Sequence, residues 1–457
     1  MRLEPQIFKA YDIRGIYPGE IDDEGAYLIG RAYATLLQQE NPATRLKVGV
    51  GSDMRTSSPS LKKSLIVGLT DTGLEVDDMG LVSTPAFYFG IGFFGYDGGI
   101  QVSASHNPKE WNGFKLVRRE AVALTNRSGI FTLRDMITQN QMFPKTDRPG
   151  MIHVRGQVTM RMVEEQTKDA PAVRRFKIAI DPANGMGLPD MKALFEKLNC
   201  EIVWINDTLD GTFPAHPADP MIPSNLEQLR HAVLEHRCDL GIAPDGDGDR
   251  YFFIDEKGET VPQEILRGIM AQIALSKNPG ASIVYDVRPG MITNDMILEA
   301  GGRPVRAPVG HSLIKEVMLA KNAVFAAESS GHYFYKFPYG SFEAPVVLIL
   351  ELLAFLTGKN LPVSQIVEPL RKYWNSGEIN IPLEKRENGV AAMEQLKRTY
   401  ADGKQSQLDG LSIQYPDYWF SVRLSNTEPL VRLILEARDK GTMERERDKL
   451  MAAMAKI

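Results

Sequence analysis

The apolar positions of this chain fall into short blocks whose period switches between two and about four. Leu46–Ser52 (LKVGVGS) is an apolar run of strand length that ends in Asp53-Met54-Arg55. Pro59 to Thr72 then follows with helical spacing and Gly73 as a stop. Glu75–Met79 returns to strand character, so the segment predicts a βαβ unit. The order recurs. Phe176–Ile180 ends in Asp181-Pro182-Ala183-Asn184-Gly185, followed by a helix through Leu198 and a strand at Glu201–Ile205. A third copy opens at Ser282–Asp286, with helices near Met291–Glu299 and Ser312–Leu319 and a strand at Ala323–Ala327. Each unit is a strand ending in a polar or acidic residue and then a helix, which predicts three tandem, similarly built α/β domains.

From about Arg371 the pattern changes. Gly410–Tyr415, Trp419–Leu424 and Val431–Ala437 read as strands in succession, and a charged helix runs from Thr442 to Ile457, which predicts an α+β domain. The polar stretch Gln139–Gly150, the turn Asp255–Gly258 and the region Glu368–Tyr373 are the expected joints, giving domains over 1–150, 151–256, 257–369 and 370–457. The longest apolar run, Ala344–Leu356, is interrupted by Glu351 and too short to span a bilayer, so a buried helix is expected there.

Composition narrows the class. A chain of 457 residues with 43% hydrophobic and 24% charged residues is an ordinary globular protein of several cores. Its net charge of −5 argues against nucleic acid as a partner, so an anionic substrate would be held by local basic residues. Two cysteines, Cys200 and Cys238, make neither a disulfide framework nor a thiolate metal cluster. No signal peptide and no membrane span are read, and a cytoplasmic monomer or weak homo-oligomer is expected.

Five stretches carry candidate chemistry. Gly99–Val102 reads as a buried strand that runs into Ser103-Ala104-Ser105-His106-Asn107 and stops at Pro108. A hydroxyl, an imidazole and a carboxamide at a strand end supply a nucleophile, a proton carrier and a neutral donor. Asp245-Gly246-Asp247-Gly248-Asp249-Arg250 follows the strand Cys238–Ala243. Three carboxylates at alternate positions, with glycines that let the loop curl, can converge on one hard cation. An EF-hand does not fit, because its sixth position holds Arg250 rather than glycine. Metal and serine complement each other, since a cation beside the Ser105 oxygen would offset charge built up in phosphoryl transfer. Arg250 would clamp that phosphate, and Lys115 is a further cation. Arg423-Leu424-Ser425-Asn426-Thr427-Glu428-Pro429 joins two strands and offers a phosphate cradle. Gly310-His311-Ser312 and Glu328-Ser329-Ser330-Gly331-His332 place sugar-binding groups at neighbouring strand ends.

Together with Lys9–Gly15, these motifs closely resemble the α-D-phosphohexomutase family, in order and over nearly the whole chain. The resemblance implies a heart-shaped, four-domain molecule whose cleft draws one loop from each domain. It implies that Ser105 is carried as phosphoserine, with Mg2+ held by Asp245, Asp247, Asp249 and a Ser105 phosphate oxygen. Glu328 and Ser330 would grip the sugar hydroxyls, and Arg423, Ser425, Asn426 and Thr427 the phosphate that is not transferred. Tyr11, Arg14, Asn107, Lys115, Arg250, His311 and His332 would line the cleft, with Lys115 and His332 the candidates for proton transfer. The reaction implied interconverts hexose 1-phosphate and hexose 6-phosphate through a hexose 1,6-bisphosphate that turns end over end. Two positions depart from the family pattern. Arg288 stands where relatives often carry lysine, and Ser103 where threonine is common. Ser425-Asn426-Thr427 leans towards mannose and glucose rather than the Ser-Gly-Thr type of amino-sugar mutases. A glucosamine-phosphate mutase and a metal-dependent phosphohydrolase are the competing readings.

Overall fold

The computed structural model describes residues 3–42, 45–425 and 430–454. The first block of the chain forms β1 (Ile13–Ile16), β2 (Lys47–Ser52), β3 (Glu75–Leu81), β4 (Gly98–Val102), β5 (Trp111–Arg118) and β6 (Ile152–Val154), in the sheet order β1-β5-β4-β2-β3-β6. The helix between β2 and β3, Ser58–Asp71, takes Pro59 in its first turn, where a missing N–H is tolerated, and buries Leu61, Leu65 and Leu69 along one side. Gly73, at φ +96°, turns the chain back into β3. β2, β3 and β4 run parallel, whereas β5 returns antiparallel on β4.

The second block repeats this core with β7 (Lys177–Ile180), β8 (Glu201–Trp204), β9 (Leu240–Pro244) and β10 (Tyr251–Asp255), in the order β10-β9-β7-β8. The third repeats its parallel part, with β11 (Ser282–Asp286) between β12 (Arg303–Ala307) and β13 (Phe325–Ala327). The hairpin β14 (Tyr333–Phe337) and β15 (Gly340–Glu343) follows. The C-terminal sheet contains β16 (Trp374–Asn375), β17 (Ile379–Pro382), β18 (Lys404–Ser406), β19 (Leu411–Gln414), β20 (Tyr418–Leu424) and β21 (Leu430–Ala437), all antiparallel, with helices Arg386–Thr399 and Lys440–Met454. Three mixed α/β cores and an α+β domain are therefore present, as the sequence pattern predicts. The expected buried helix is there too, as Pro345–Lys359. No single helix among the described residues is long and apolar enough to cross a membrane.

The chain packs as two units, Met1–Val261 with Ser330–Ser364, and Pro262–Ser329 with Gln365–Ile457. The segment expected as one third domain, 257–369, is thus shared between them. Local contacts explain its later part. The Tyr251 N–H donates to the Gly331 carbonyl at 2.9 Å, and Tyr339 stands edge-on to Phe89 and Phe93, with centroids 5.8 and 5.5 Å apart.

Candidate active site

In the first unit the site is built on two equivalent turns, the one from β4 to β5 and the one from β9 to β10. Ser105, 3% exposed, sits in the first with φ +51°, a left-handed backbone that a non-glycine residue adopts only when its surroundings impose it. Its N–H donates to Ser103 Oγ at 3.0 Å, a contact that any hydroxyl at position 103 could make. Its own hydroxyl donates to Asp245 Oδ2 at 2.9 Å. The two turns meet backbone to backbone, since a Cβ at Gly246 would lie 2.5 Å from the Ser105 carbonyl oxygen.

Asp245, Asp247 and Asp249 are buried, and one carboxylate oxygen of each lies within 4.8 Å of the others. Asp245 Oδ1 accepts the N–H groups of Gly248, Asp249 and Arg250 at 3.1, 3.1 and 3.2 Å, which fixes the curl of the loop. Asp247 Oδ2 accepts from Thr84 Oγ1 at 2.5 Å, while its Oδ1 is buried with no hydrogen-bond partner. Lys115 Nζ, on β5, donates to Asp247 and to Asp249 at 2.6 Å each. Burial works to lower the Lys115 pKa, but the two aspartates outweigh it and hold the ammonium well above its ordinary value. Burial, and then the charges of Asp249 and Asp247, push Asp245 well above the usual carboxylate range. For Asp249, burial is outweighed by Lys115 and His332, which hold it well below that range. Hard oxygen donors gathered in one buried trio and an unsatisfied buried oxygen fit a divalent cation. Asp249 also comes within reach of His332 and Glu343.

His332 Nε2 lies 3.2 Å from Asp249 Oδ1, and its Nδ1 is 3.0 Å from the Ser330 hydroxyl. His106 Nδ1 lies 3.1 Å from Ser105 Oγ, and burial, then the charges of Arg250 and Arg14, keep this ring well below its ordinary pKa and neutral. Arg14, on β1, donates to the Asn107 side-chain carbonyl and pairs with Asp12. Tyr11 is half-buried just ahead of β1. Arg250 is half-buried, with Nε 3.9 Å from Asp245 Oδ2. Ser105, the three aspartates, Lys115, His332, Ser330, Asn107 and Arg14 are thus brought together in this unit. Thr84 belongs to the same network and carries no motif of its own, whereas Ser103 lies in the motif that carries Ser105.

In the second unit the acceptor Asp286 closes β11. Its Oδ1 accepts from the Ser329 hydroxyl at 2.9 Å and the Ser329 N–H at 3.2 Å, and it pairs with Arg267 and Arg288. Arg288 Nη2 also donates to Glu328 Oε1 at 2.9 Å, and the Gly310 N–H donates to the same oxygen at 3.1 Å. Burial would lower the Arg288 pKa, but Asp286 and Glu328 raise it overall. His311 opens the helix His311–Ala320. On β20, Arg423 Nη2 donates to Glu378 Oε2 at 2.7 Å, and Arg432 Nη1 is 3.2 Å from Oε1 of the same carboxylate. Ser425 is buried, and its N–H donates to the Leu430 carbonyl at 2.9 Å. Asn426 and Thr427 lie outside the described residues.

Comparison with known proteins assigns the chain to a family. The chain matches the family "Phosphoglucomutase/phosphomannomutase" in four parts: alpha/beta/alpha domain I over residues 5–141, domain II over 159–258, domain III over 263–373 and the C-terminal domain over 378–453. The chain belongs to this family, whose members are isomerases that act on hexose phosphates as mutases. A phosphomannomutase of Methanocaldococcus jannaschii is 35% identical, with 99% of this chain and 98% of that one covered. A phosphomannomutase/phosphoglucomutase of Pseudomonas syringae pv. tomato is also 35% identical, over 100% of this chain and 96% of its own. The crystal structure of a phosphoglucomutase/phosphomannomutase family protein from Burkholderia thailandensis superposes with a TM-score of 0.90 at 31% identity, covering 99% of this chain and 97% of that one.

Proposed function

We propose that this chain interconverts the 1- and 6-phosphates of a hexose, mannose and glucose alike, and that Ser105 carries the phosphoryl group that is exchanged. The observation that supports this most is the Ser105 hydroxyl held 2.9 Å from Asp245 at the edge of a buried trio of carboxylates. Asp245, Asp247, Asp249 and an oxygen of the Ser105 phosphate would hold Mg2+, which when bound offsets negative charge on the phosphoryl oxygens.

The chemistry balances in two half-reactions. The free hydroxyl of a hexose 1-phosphate forms a bond to the phosphorus on Ser105, the Ser105 Oγ–P bond breaks, and the proton of that hydroxyl is taken up by the protein. In the second, Ser105 Oγ forms a bond to the phosphorus at the other end of the hexose 1,6-bisphosphate, the bond from that phosphorus to its sugar oxygen breaks, and the proton held by the protein passes to that oxygen. A trace of that bisphosphate therefore primes the enzyme. Lys115, an ammonium held between two carboxylates, is suited to neutralise charge and is the first proton-transfer candidate. His332, linked through its two nitrogens to Asp249 and Ser330, is the second proton-transfer candidate. Glu328 and Ser330 would bind sugar hydroxyls, with Arg288, Gly310 and His311 beside them in role. Arg423 and Ser425, with Asn426 and Thr427, would hold the phosphate that stays, and Tyr11, Arg14, Asn107 and Arg250 would contact the one that moves.

Turnover of mannose 1-phosphate, glucose 1-phosphate and glucosamine 1-phosphate, measured side by side with Mg2+ and a trace of hexose 1,6-bisphosphate, tests the reading. Comparable rates on the first two with little on the third are expected. A preference for glucosamine 1-phosphate would move the chain to amino-sugar chemistry, and inorganic phosphate as the main product would make it a phosphohydrolase.

A further inference from the structure

Arg55 belongs to no motif that matches a ligand, yet its guanidinium is the most fully used group near Ser105. Its side chain is wholly buried. Nη2 donates to the carbonyls of Ser105 and Asn107 at 2.7 and 2.6 Å, and Nη1 to those of Pro108 and Trp111 at 2.7 and 2.9 Å. Nε donates to Asp53 Oδ2 at 3.2 Å. All five N–H groups of the fork are therefore engaged. The four carbonyls bracket the β4–β5 turn from the nucleophile to the start of β5. Asp53 fixes the arginine from the other side, accepting the Arg55 N–H on Oδ1 at 3.1 Å. The Phe213 ring covers the guanidinium, 5.1 Å away. Because the Ser105 carbonyl also faces Gly246, the group that Arg55 holds sets the spacing between the serine turn and the carboxylate loop.

We propose that Arg55 is a positioning residue for Ser105. It gathers the turn's carbonyls, holds Ser105 in its left-handed backbone and so aims Oγ at the carboxylate trio. The proposal rests on the reading of Ser105 as the phosphoryl carrier. The hydrogen bonds of Arg55 go to backbone carbonyls and to Asp53, so its loss is expected to act on the rate rather than on substrate affinity. Lysine brings three donors from one nitrogen and cannot reproduce the fork, leaving at least two of the five acceptors short.

The test compares wild type, Arg55→Lys and Arg55→Ala, with two readouts. One is phosphoryl gain on Ser105 after incubation with Mg2+ and glucose 1,6-bisphosphate, followed by intact mass; the other is kcat and KM for glucose 1-phosphate. Arg55→Lys, with its folded fraction checked by circular dichroism, is expected to lose about 100-fold in kcat and in phosphorylation rate, with KM within about threefold of wild type. Added guanidinium should restore part of the activity of Arg55→Ala if that variant folds, and Arg55→Lys carries the test if it does not. A KM change at constant kcat, or a kcat loss accounted for by the unfolded fraction, overturns the proposal. Wild type that gains no phosphoryl group and shows no turnover removes the reading of Ser105 instead. Wild type that does both, beside an Arg55→Lys that matches it, removes the role of Arg55 alone.

Discussion

Two charge clusters of opposite sign, one in each unit, are each closed by a counter-ion from the chain itself. In the first unit Lys115 stands between Asp247 and Asp249; in the second Glu378 stands between Arg423 and Arg432, which face each other across β20 and β21. The proposed function puts a metal at the first and a phosphate at the second. Each internal partner thus carries the charge sign of the ligand proposed for its cluster. The clusters differ in exposure. The Lys115 side chain is 4% exposed, whereas Glu378 is 30% and Arg432 28% exposed. Charges that have lost their water must be compensated, because an unpaired buried ion costs several kcal/mol. Half-solvated charges are already screened, and an ion pair between them is worth about 1 kcal/mol or less. On the proposed function, the buried counter-ion would be part of the site and the exposed one a placeholder for the ligand to displace.

The severest break in this comparison is at the buried pole. Asp247→Asn removes one of the charges that Lys115 and a divalent cation share. A fall in kcat of about 100-fold or more is expected, with Mg2+ binding by calorimetry weakened in parallel. Unchanged Mg2+ affinity would take Asp247 out of the ligand set. Lys115→Met is the complementary experiment. It leaves the trio without its ammonium and should cost the metal-free protein about 3 kcal/mol in denaturant unfolding, with much of the loss recovered in excess Mg2+. An equal loss with and without Mg2+ would mean that Lys115 does not stand in for the ion.

Asp190 sharpens the rule from the other side, being a fully buried carboxyl that pairs with no cation among the described residues. It lies on the helix Gly187–Phe195, where Oδ2 accepts from Ser83 Oγ at 2.6 Å, and burial raises its pKa from 3.8 to about 7. A raised folded-state value in an acid means that the native protein binds more protons than the unfolded chain between these two values. Stability should therefore fall as pH rises from about 4 to about 7, by an amount of the order of a few kcal/mol. Asp190→Asn should flatten that slope in urea unfolding measured across the window, and an unchanged slope would assign it to other groups.

How much of this was legible in the sequence depends on the range of the interaction. The strands ending at Asp53, Asp181 and Asp286 could be read because a period of two, broken by an acidic residue and followed by helical spacing, is a local signal. Each of these aspartates is an acceptor hub: Asp53 for Arg55 and Ser58, Asp181 for Ala183 and Asn206, Asp286 for Ser329. The triple-aspartate loop was equally legible, because three carboxylates within five residues repel unless something compensates them. Partners contributed from far along the chain were less so. Lys115 lies more than 130 residues from the aspartates it bridges, and it was singled out through the family resemblance, because a lone lysine is a surface residue by default. Arg55 was visible only as the polar end of a strand, since nothing local shows that its acceptors are carbonyls 50 residues on. The division of 257–369 between two units follows from packing of single aromatic residues such as Tyr339, which periodicity does not encode.

Glu378 is the smallest and most discriminating case. It precedes β17, whose Ile379 to Pro382 pair with β21, so the strand register holds its carboxylate against Arg423 and Arg432. On the proposed function, a phosphate arriving at these guanidiniums would compete with a carboxylate already tethered in place, and the competition would raise KM without touching the bonds that break. Glu378→Gln keeps the side-chain length and removes the charge. The expected result is a KM for hexose phosphate lowered by up to about fivefold at low salt, the size of one exposed ion pair, with kcat within about twofold. The gain should shrink as salt rises, because the contact it abolishes is screened in wild type as well. A KM that rises instead would make Glu378 a structural brace that keeps the two arginines in position, and the symmetry between the two counter-ions would end there.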